Sequence, residues 1–403
     1  MIFKEAAPIH SLRKAPLVVL TVSLYLLMFA YAFSVTIIGP LIPIFMNAYR
    51  VSLSQSGLVP LFQGLGGAVA LFVGVDFADR VHRSLLIKAA FGVYCAATLL
   101  MAIAPPYMVL LILFCFIGGG TRFLEAILNA YVSDIHPAKR GFYLTLLHAC
   151  FGVGALLGPL FSTVFISAKV HWTYIFLTLG GFCVVILVVY TLVQKKIPVA
   201  KPQAQVSGLK NIAHLLEERN LVWLFFMALF YAAFALSISA WMPSYMTRRL
   251  HTGIILASVP VSAMWIGIIC GRVVYSFLSL KHPVKYLLLL SNLAAGAVMI
   301  AVVIINAPVA YVGGLCIAGF LVGATTPLSV AQANNMMPGH SGAVSSLLTF
   351  ASVMGLLVFP WLIGVIADAS SFWFGIAVAA LFPCAIAVFA AFLPKPVQED
   401  RFH

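Results

Sequence analysis

Three polar side chains, Arg122, Glu125 and Asn129, stand at offsets of three and seven within Gly118 to Gly141, GGGTRFLEAILNAYVSDIHPAKRG. In a helix those offsets place all three on one face. A carboxylate there can take up and release a proton, a cation one turn away can compete with that proton, and an amide can bond a hydroxylated solute. The run before them, Met108 to Ile117, is apolar without interruption, so the helix that carries them must cross a membrane. An ionisable group at such depth costs on the order of 2.5 to 3.5 kcal/mol. The face therefore looks at other helices or at a water-filled path, and its residues read as functional.

The elements that must position these groups are long apolar helices. Hydrophobic residues make up 63% of the 403 and charged residues 8%, against about 25% charged in soluble domains. The chain is an integral membrane protein of the all-α class. Twelve apolar stretches lie between residues 16 and 393, each long enough to cross roughly 30 Å of hydrocarbon. The first, 16 to 46, is too long for a signal-peptide core and is expected to stay in the mature protein. The segment Lys195 to Asn220, rich in charge and holding two prolines, separates two sets of six. The expected organisation is an N-terminal six-helix bundle over 1–194, a cytoplasmic linker over 195–220 and a C-terminal six-helix bundle over 221–403.

A shift of 201 residues lays Pro137 to Phe161 on Pro338 to Leu362 with seven identities in 25, the punctuating Gly and Pro among them. A duplicated six-helix unit explains the match. Because six spans return the chain to the same side, the repeats are parallel, the architecture of transporters that bind solute near the midplane. Depth supports this for the polar face. Glu125 lies about 13 Å in from Asp134, and His148 about 12 Å in from Arg140, so both reach the same level on consecutive helices. His148 joins Glu125 and Arg122 as a proton-coupling candidate, through a direct or water-bridged hydrogen bond, against the plainer reading of a packing histidine.

Loop charges orient the chain. With both termini on one side, that side collects seventeen Lys and Arg against four opposite, while Arg122 and Arg272 remain inside the membrane. The positive-inside rule puts both termini in the cytoplasm, and the cytoplasmic membrane is the expected location. The rule also gives the net charge of +13 an origin in the loops, with no nucleic acid among the partners. All seven cysteines fall in apolar segments without paired spacing, so neither disulfides nor a metal site is expected. No nucleotide loop, HExxH or GxSxG is present, and neither enzymatic activity, a cofactor nor a nucleotide-driven pump is expected. A monomer is expected.

Taken together, the twelve spans, the repeat and the loop motifs resemble those of major facilitator superfamily transporters over essentially the whole chain. LEAILN at Leu124 to Asn129, followed by PAKRGFYLTLLHACFGVGALLGP, is similar to the fourth and fifth helices of the fucose permease group of sugar:proton symporters. The resemblance implies Glu125 as a protonatable carboxylate in a central cavity and Asn129 as a polar group on the substrate side. Where that group carries an aspartate in its first helix, this chain has Gly39. GVDFADRVHRS at Gly74 to Ser84 resembles the superfamily's GxxxDRxGRK loop between helices two and three, with His82 and Ser84 as departures. It implies a cytoplasmic gate built on Asp79, Arg80 and Arg83, and Asp134, Arg140 and Arg272 are further gate candidates. For each of these the plainer alternative is a solvated or structural charge.

Remaining polar groups in the spans are candidates for the solute. Gln63 and Gln332, with Asn334 and Asn335, are amides that can bind hydroxyls or hold helices together. Tyr25, Tyr31, Tyr231 and Trp241 lie on the first and seventh helices, which the resemblance places at the cavity, and aromatic faces suit sugar rings. Gly152, Gly154, Gly158 and Pro159 read as close packing and a hinge. The expected function is proton-coupled alternating access for a small polar, sugar-like solute. The alternatives are proton-coupled export of an amphipathic compound or lipid precursor, and a membrane receptor or scaffold, which intramembrane charges argue against.

Overall fold

The computed structural model describes residues 14–78, 81–136, 139–194, 218–337 and 341–394. Among these residues there is no strand. The first eight α-helices are α1 (Lys14–Thr36), α2 (Ile38–Tyr49), α3 (Leu53–Ser56), α4 (Leu58–Ala78), α5 (Arg83–Leu100), α6 (Tyr107–Ile135), α7 (Arg140–Ser167) and α8 (Thr173–Gln194). Then follow α9 (Arg219–Arg248), α10 (Ile254–Leu278), α11 (Val284–Ile305), α12 (Pro308–Val322), α13 (Thr325–Met336), α14 (Ser341–Ala369), α15 (Phe372–Ala380) and α16 (Phe382–Ala391). They make twelve spans long and apolar enough to cross a membrane. Large apolar side chains such as Val185, Ile304 and Val309 stay exposed on them, the outer surface that lipid requires.

Prolines explain why several apolar stretches are not single helices. A proline offers no N–H to the carbonyl four residues back, and its ring crowds that carbonyl. Pro40, Pro60, Pro327 and Pro383 each follow a break, at Ile37, Gly57, Gly323 to Ala324 and Leu381. The expected single stretch from 16 to 46 is accordingly α1 and α2, and the tenth span is α12 and α13.

The chain divides into two compact units, Met1–Val51 with Leu58–Val206, and Ser52–Gly57 with Ser207–His403. The expected division lay only in the linker, most of which, 195–217, is outside the described residues. The hexapeptide around α3 belongs to the second unit. There Asp368 of α14 accepts the backbone N–H groups of Leu53 and Ser54 at 3.2 and 2.7 Å. A carboxylate on exposed helix-end donors is a favourable cap.

Within each unit the helices approach closely where glycines meet. A Cβ on Gly66 of α4 would lie 1.8 Å from the Cys115 carbonyl oxygen of α6, and one on Gly118 would lie 1.8 Å from that of Gln63. In the second unit Gly267 meets Cys316 at 2.1 Å and Gly319 meets Met264 at 2.3 Å in the same sense. Every one of these positions is related by the shift of 201. Gly154 against Phe29 at 2.5 Å is repeated by Gly355 against Leu229 at 2.4 Å, so the first helix of each half follows a shift of 200. The duplication read from one stretch thus organises helix packing in both six-span units.

Candidate functional site

On α6 the Glu125 carboxylate is held by two donors that converge on one oxygen. The Tyr31 hydroxyl of α1 donates to Oε2 at 2.9 Å, and Arg122 Nη1 donates to the same atom at 3.0 Å. The guanidinium carbon also stands 5.7 Å from the Tyr31 ring centroid. Arg122 reaches its partner because offsets of three share a helix face, and because Gly67 of α4 leaves room for its stem. A Cβ at Gly67 would come within 2.7 Å of Arg122 Cγ. Tyr31 is fully buried, and its ring packs on Phe151 of α7 at 5.2 Å.

The side chains of Arg122 and Glu125 are 11% and 18% exposed, enclosed without being sealed. An ion pair this deep has lost most of its hydration, so its geometry and its extra hydrogen bond decide whether it holds. His148, the third expected member, is half-buried on α7. It lies one turn before Phe151, the residue that touches Tyr31.

Two amides expected at the solute have unused capacity. Gln63 is buried with Nε2 unpartnered, and Asn129 Oδ1 is buried without a partner. Buried amide atoms are normally satisfied, so each such exception calls for an explanation. In the second unit Gln332 is half-buried on α13, Asn335 is exposed, and Asn334 Oδ1 is again buried without a partner. Two of the aromatic candidates have their polar groups engaged within the protein. Trp241 is fully enclosed and donates Nε1–H to the Pro360 carbonyl at 2.6 Å, leaving no N–H for a solute. Tyr25 spends its hydroxyl on the Tyr143 carbonyl at 2.9 Å. Tyr31 serves Glu125, and Tyr231 accepts from Arg272 Nη2 at 3.2 Å.

Of the gate candidates, Asp79 and Arg80 lie outside the described residues, and Arg140 opens α7 with its side chain outside them too. Arg83 Nε meets Asp134 Oδ2 at 2.7 Å, joining the start of α5 to the end of α6 inside the first unit. Arg272 donates Nε–H to the Gly323 carbonyl at 3.3 Å as well as bonding Tyr231. Sequence reasoning did not pair Tyr31 with Glu125, nor give Gly66 and Gly67 a role. The small-residue run GLGG at Gly64 to Gly67, opposite GGG at Gly118 to Gly120, carries the signal for the second.

Twelve apolar spans in two related units, with an enclosed ion pair in the fourth span, define a multi-pass membrane protein built on a duplicated six-helix unit. The sequence profile of the Major Facilitator Superfamily matches residues 24–360, and the chain belongs to that superfamily. It is 22% identical over 352 residues to the "Glucose/mannose transporter GlcP" of Bacillus subtilis (strain 168), covering 84% of this chain and 87% of that one. Among solved structures, a bacterial homolog of the human lysosomal transporter Spinster shares the fold with a TM-score of 0.79 at 15% identity. That match covers 94% of this chain and 97% of the other. The nucleoside transporter NupG, in a mutant form, matches with a TM-score of 0.77 at 12% identity, over 93% of this chain and 100% of that one.

Proposed function

We propose that the protein is a secondary active transporter that moves a small polar, sugar-like solute across the cytoplasmic membrane by proton-coupled alternating access, with both termini cytoplasmic. The observation that carries this reading is the Glu125 carboxylate, held through Oε2 by Tyr31 and Arg122 inside a span. While Arg122 neutralises it, the carboxylate has no need of a proton. When solute or helix movement draws Arg122 away, a desolvated carboxylate is left, and a proton is the neutralising partner at hand. That exchange couples proton entry to the transport cycle. The sugar class is supported by the named substrates of the Bacillus relative and by the unsatisfied amides of Gln63 and Asn129, which suit hydroxyl groups.

Proteoliposomes with an imposed pH gradient and a labelled sugar panel test the reading. Wild-type protein is expected to accumulate solute uphill when the exterior is acid. Glu125→Gln is expected to abolish accumulation while sparing solute-for-solute exchange. Full uphill transport by that variant would remove Glu125 as the coupling group.

A further inference from the structure

The repeat that brings the packing glycines into register also aligns the two polar sites, and the second lacks a part. By the shift of 201, which the Cys115/Cys316 and Gln63/Met264 contacts obey, Arg122 corresponds to Gly323 and Glu125 to Thr326. By the shift of 200 for the first helix of each half, Tyr31 corresponds to Tyr231. A cation still stands beside the second tyrosine, supplied by Arg272 of α10. Its Nε takes the Gly323 carbonyl, which Pro327 leaves without an intrahelical donor. The carboxylate has no counterpart. Its position holds Thr326, whose Oγ1 is buried without a partner.

Charge and hydrogen bonding both leave this site open. Among the described residues, Arg122 has a carboxylate partner and Arg272 has none. Of the five N–H groups of a guanidinium, Arg272 uses two, both on neutral acceptors. Tyr231 accepts from Arg272 but gives its own proton to no described residue, whereas Tyr31 gives its proton to Glu125. Nor does the cation reach for the nearer water. Arg272 lies six residues before Leu278, about 9 Å from that end of α10, while Tyr231 lies twelve residues after Arg219, about 18 Å from the same side. A long cationic side chain ordinarily snorkels outward. This one extends inward.

We propose that Arg272, Tyr231 and Thr326 form a subsite for a carboxylate group of the transported solute, which fills in the second unit the place that Glu125 fills in the first. The proposal rests on the transporter reading and deepens it to hydroxylated solutes that bear a carboxylate, such as sugar acids. The single guanidinium that Arg272 supplies matches the one charge of a carboxylate better than the two of a phosphate dianion.

The test uses full-length protein in detergent at constant ionic strength, with D-glucuronate, D-glucose, glucose 6-phosphate and phosphatidylglycerol as probes and melting temperature as the readout. D-glucuronate is expected to stabilise the protein saturably and D-glucose far less. Arg272→Gln should raise the half-saturating D-glucuronate concentration at least tenfold. Thr326→Glu supplies the missing carboxylate internally. It should raise the melting temperature without ligand and remove the D-glucuronate response, yet lower the melting temperature when combined with Arg272→Gln. Three results would each overturn the proposal: no protection by D-glucuronate, protection indifferent to Arg272→Gln, or equal destabilisation by Thr326→Glu with and without Arg272. Protection by glucose 6-phosphate or phosphatidylglycerol alone would assign the cation to a phosphate or a headgroup and overturn the carboxylate. Proton coupling is read by flux and this subsite by binding, so either can fail alone.

Discussion

Two donors on one oxygen make Glu125 sensitive to single-atom changes. Tyr31→Phe keeps the ring against Phe151 but deletes the O–H, a charge-assisted hydrogen bond of about 1.5 to 3 kcal/mol. Arg122→Ala removes the neutralising charge itself, so it is expected to loosen coupling more. The ratio of uphill accumulation to exchange should fall about tenfold for Arg122→Ala, and less for Tyr31→Phe. Arg122→Lys should recover part of the loss, since the charge survives while the planar fork does not. Parallel flux and binding measurements on the three variants check this. Loss of solute binding in Arg122→Ala, with coupling intact in whatever flux remains, would mean that Arg122 clamps the solute instead. Arg122 and Glu125 were visible as a pair in the sequence because helix geometry relates neighbours three apart. Tyr31 was legible only as an aromatic residue on a helix of interest, since its partner lies 94 positions away.

Helix pairs in both units are held at distances that only glycine allows. Where Gly118 of α6 faces the Gln63 carbonyl of α4, an added methyl would overlap backbone that cannot rotate aside. Overpacking of this kind costs about 1 to 3 kcal/mol. It would also displace Arg122, whose stem lies on Gly67 of the same helix pair. Gly118→Ala is expected to lower the melting temperature by several degrees and to weaken transport. Gly92→Ala, where a Cβ meets nothing within 4 Å, serves as the control and is expected to leave both unchanged. Equal behaviour of the two variants in a thermal melt would refute the close-packing account. The span ends read from composition agree with the helices in most spans, those with Pro159, Pro243, Pro260 and Pro360 inside an unbroken helix among them. At Pro40 and Pro327 the apolar runs continue through breaks that the backbone cannot ignore.

Stability of the first unit is expected to depend on pH through a clip of three spans. His136, just past the end of α6, has Nε2 2.8 Å from Thr21 Oγ1 of α1, and its ring stacks on Tyr143 of α7 at 3.5 Å between centroids. The Thr21 hydroxyl donates to Leu17, so it accepts from Nε2–H. Burial lowers the pKa of His136 below its ordinary value of 6.5. The unfolded chain therefore binds the proton more readily, and acid favours unfolding. This contribution to stability is fully present above about pH 6.5 and is lost as pH falls through the lowered value. Melting temperatures at pH 7.5 and 5.5 should differ by a few degrees, and His136→Gln should shrink the difference. An unchanged difference in that variant would exclude His136 as its source.

From the sequence alone came the membrane class, the twelve spans, the parallel duplication and the Arg122 and Glu125 pair. These follow from the solvent: a bilayer demands apolar runs of fixed length, penalises charge inside them, and leaves loop charge to mark the sides. Which faces meet was decided by tertiary structure. Tyr31 came to Glu125 and Arg272 to Tyr231, Trp241 was enclosed against Pro360, and the hexapeptide around α3 joined the second unit. The reason lies in the same solvent. In lipid a helix is apolar on its outer face as well as its inner one, so the periodicity that marks the buried face of a soluble helix is erased. Helix rotation is then set by where backbones approach most closely, and that follows from glycines on two helices at once.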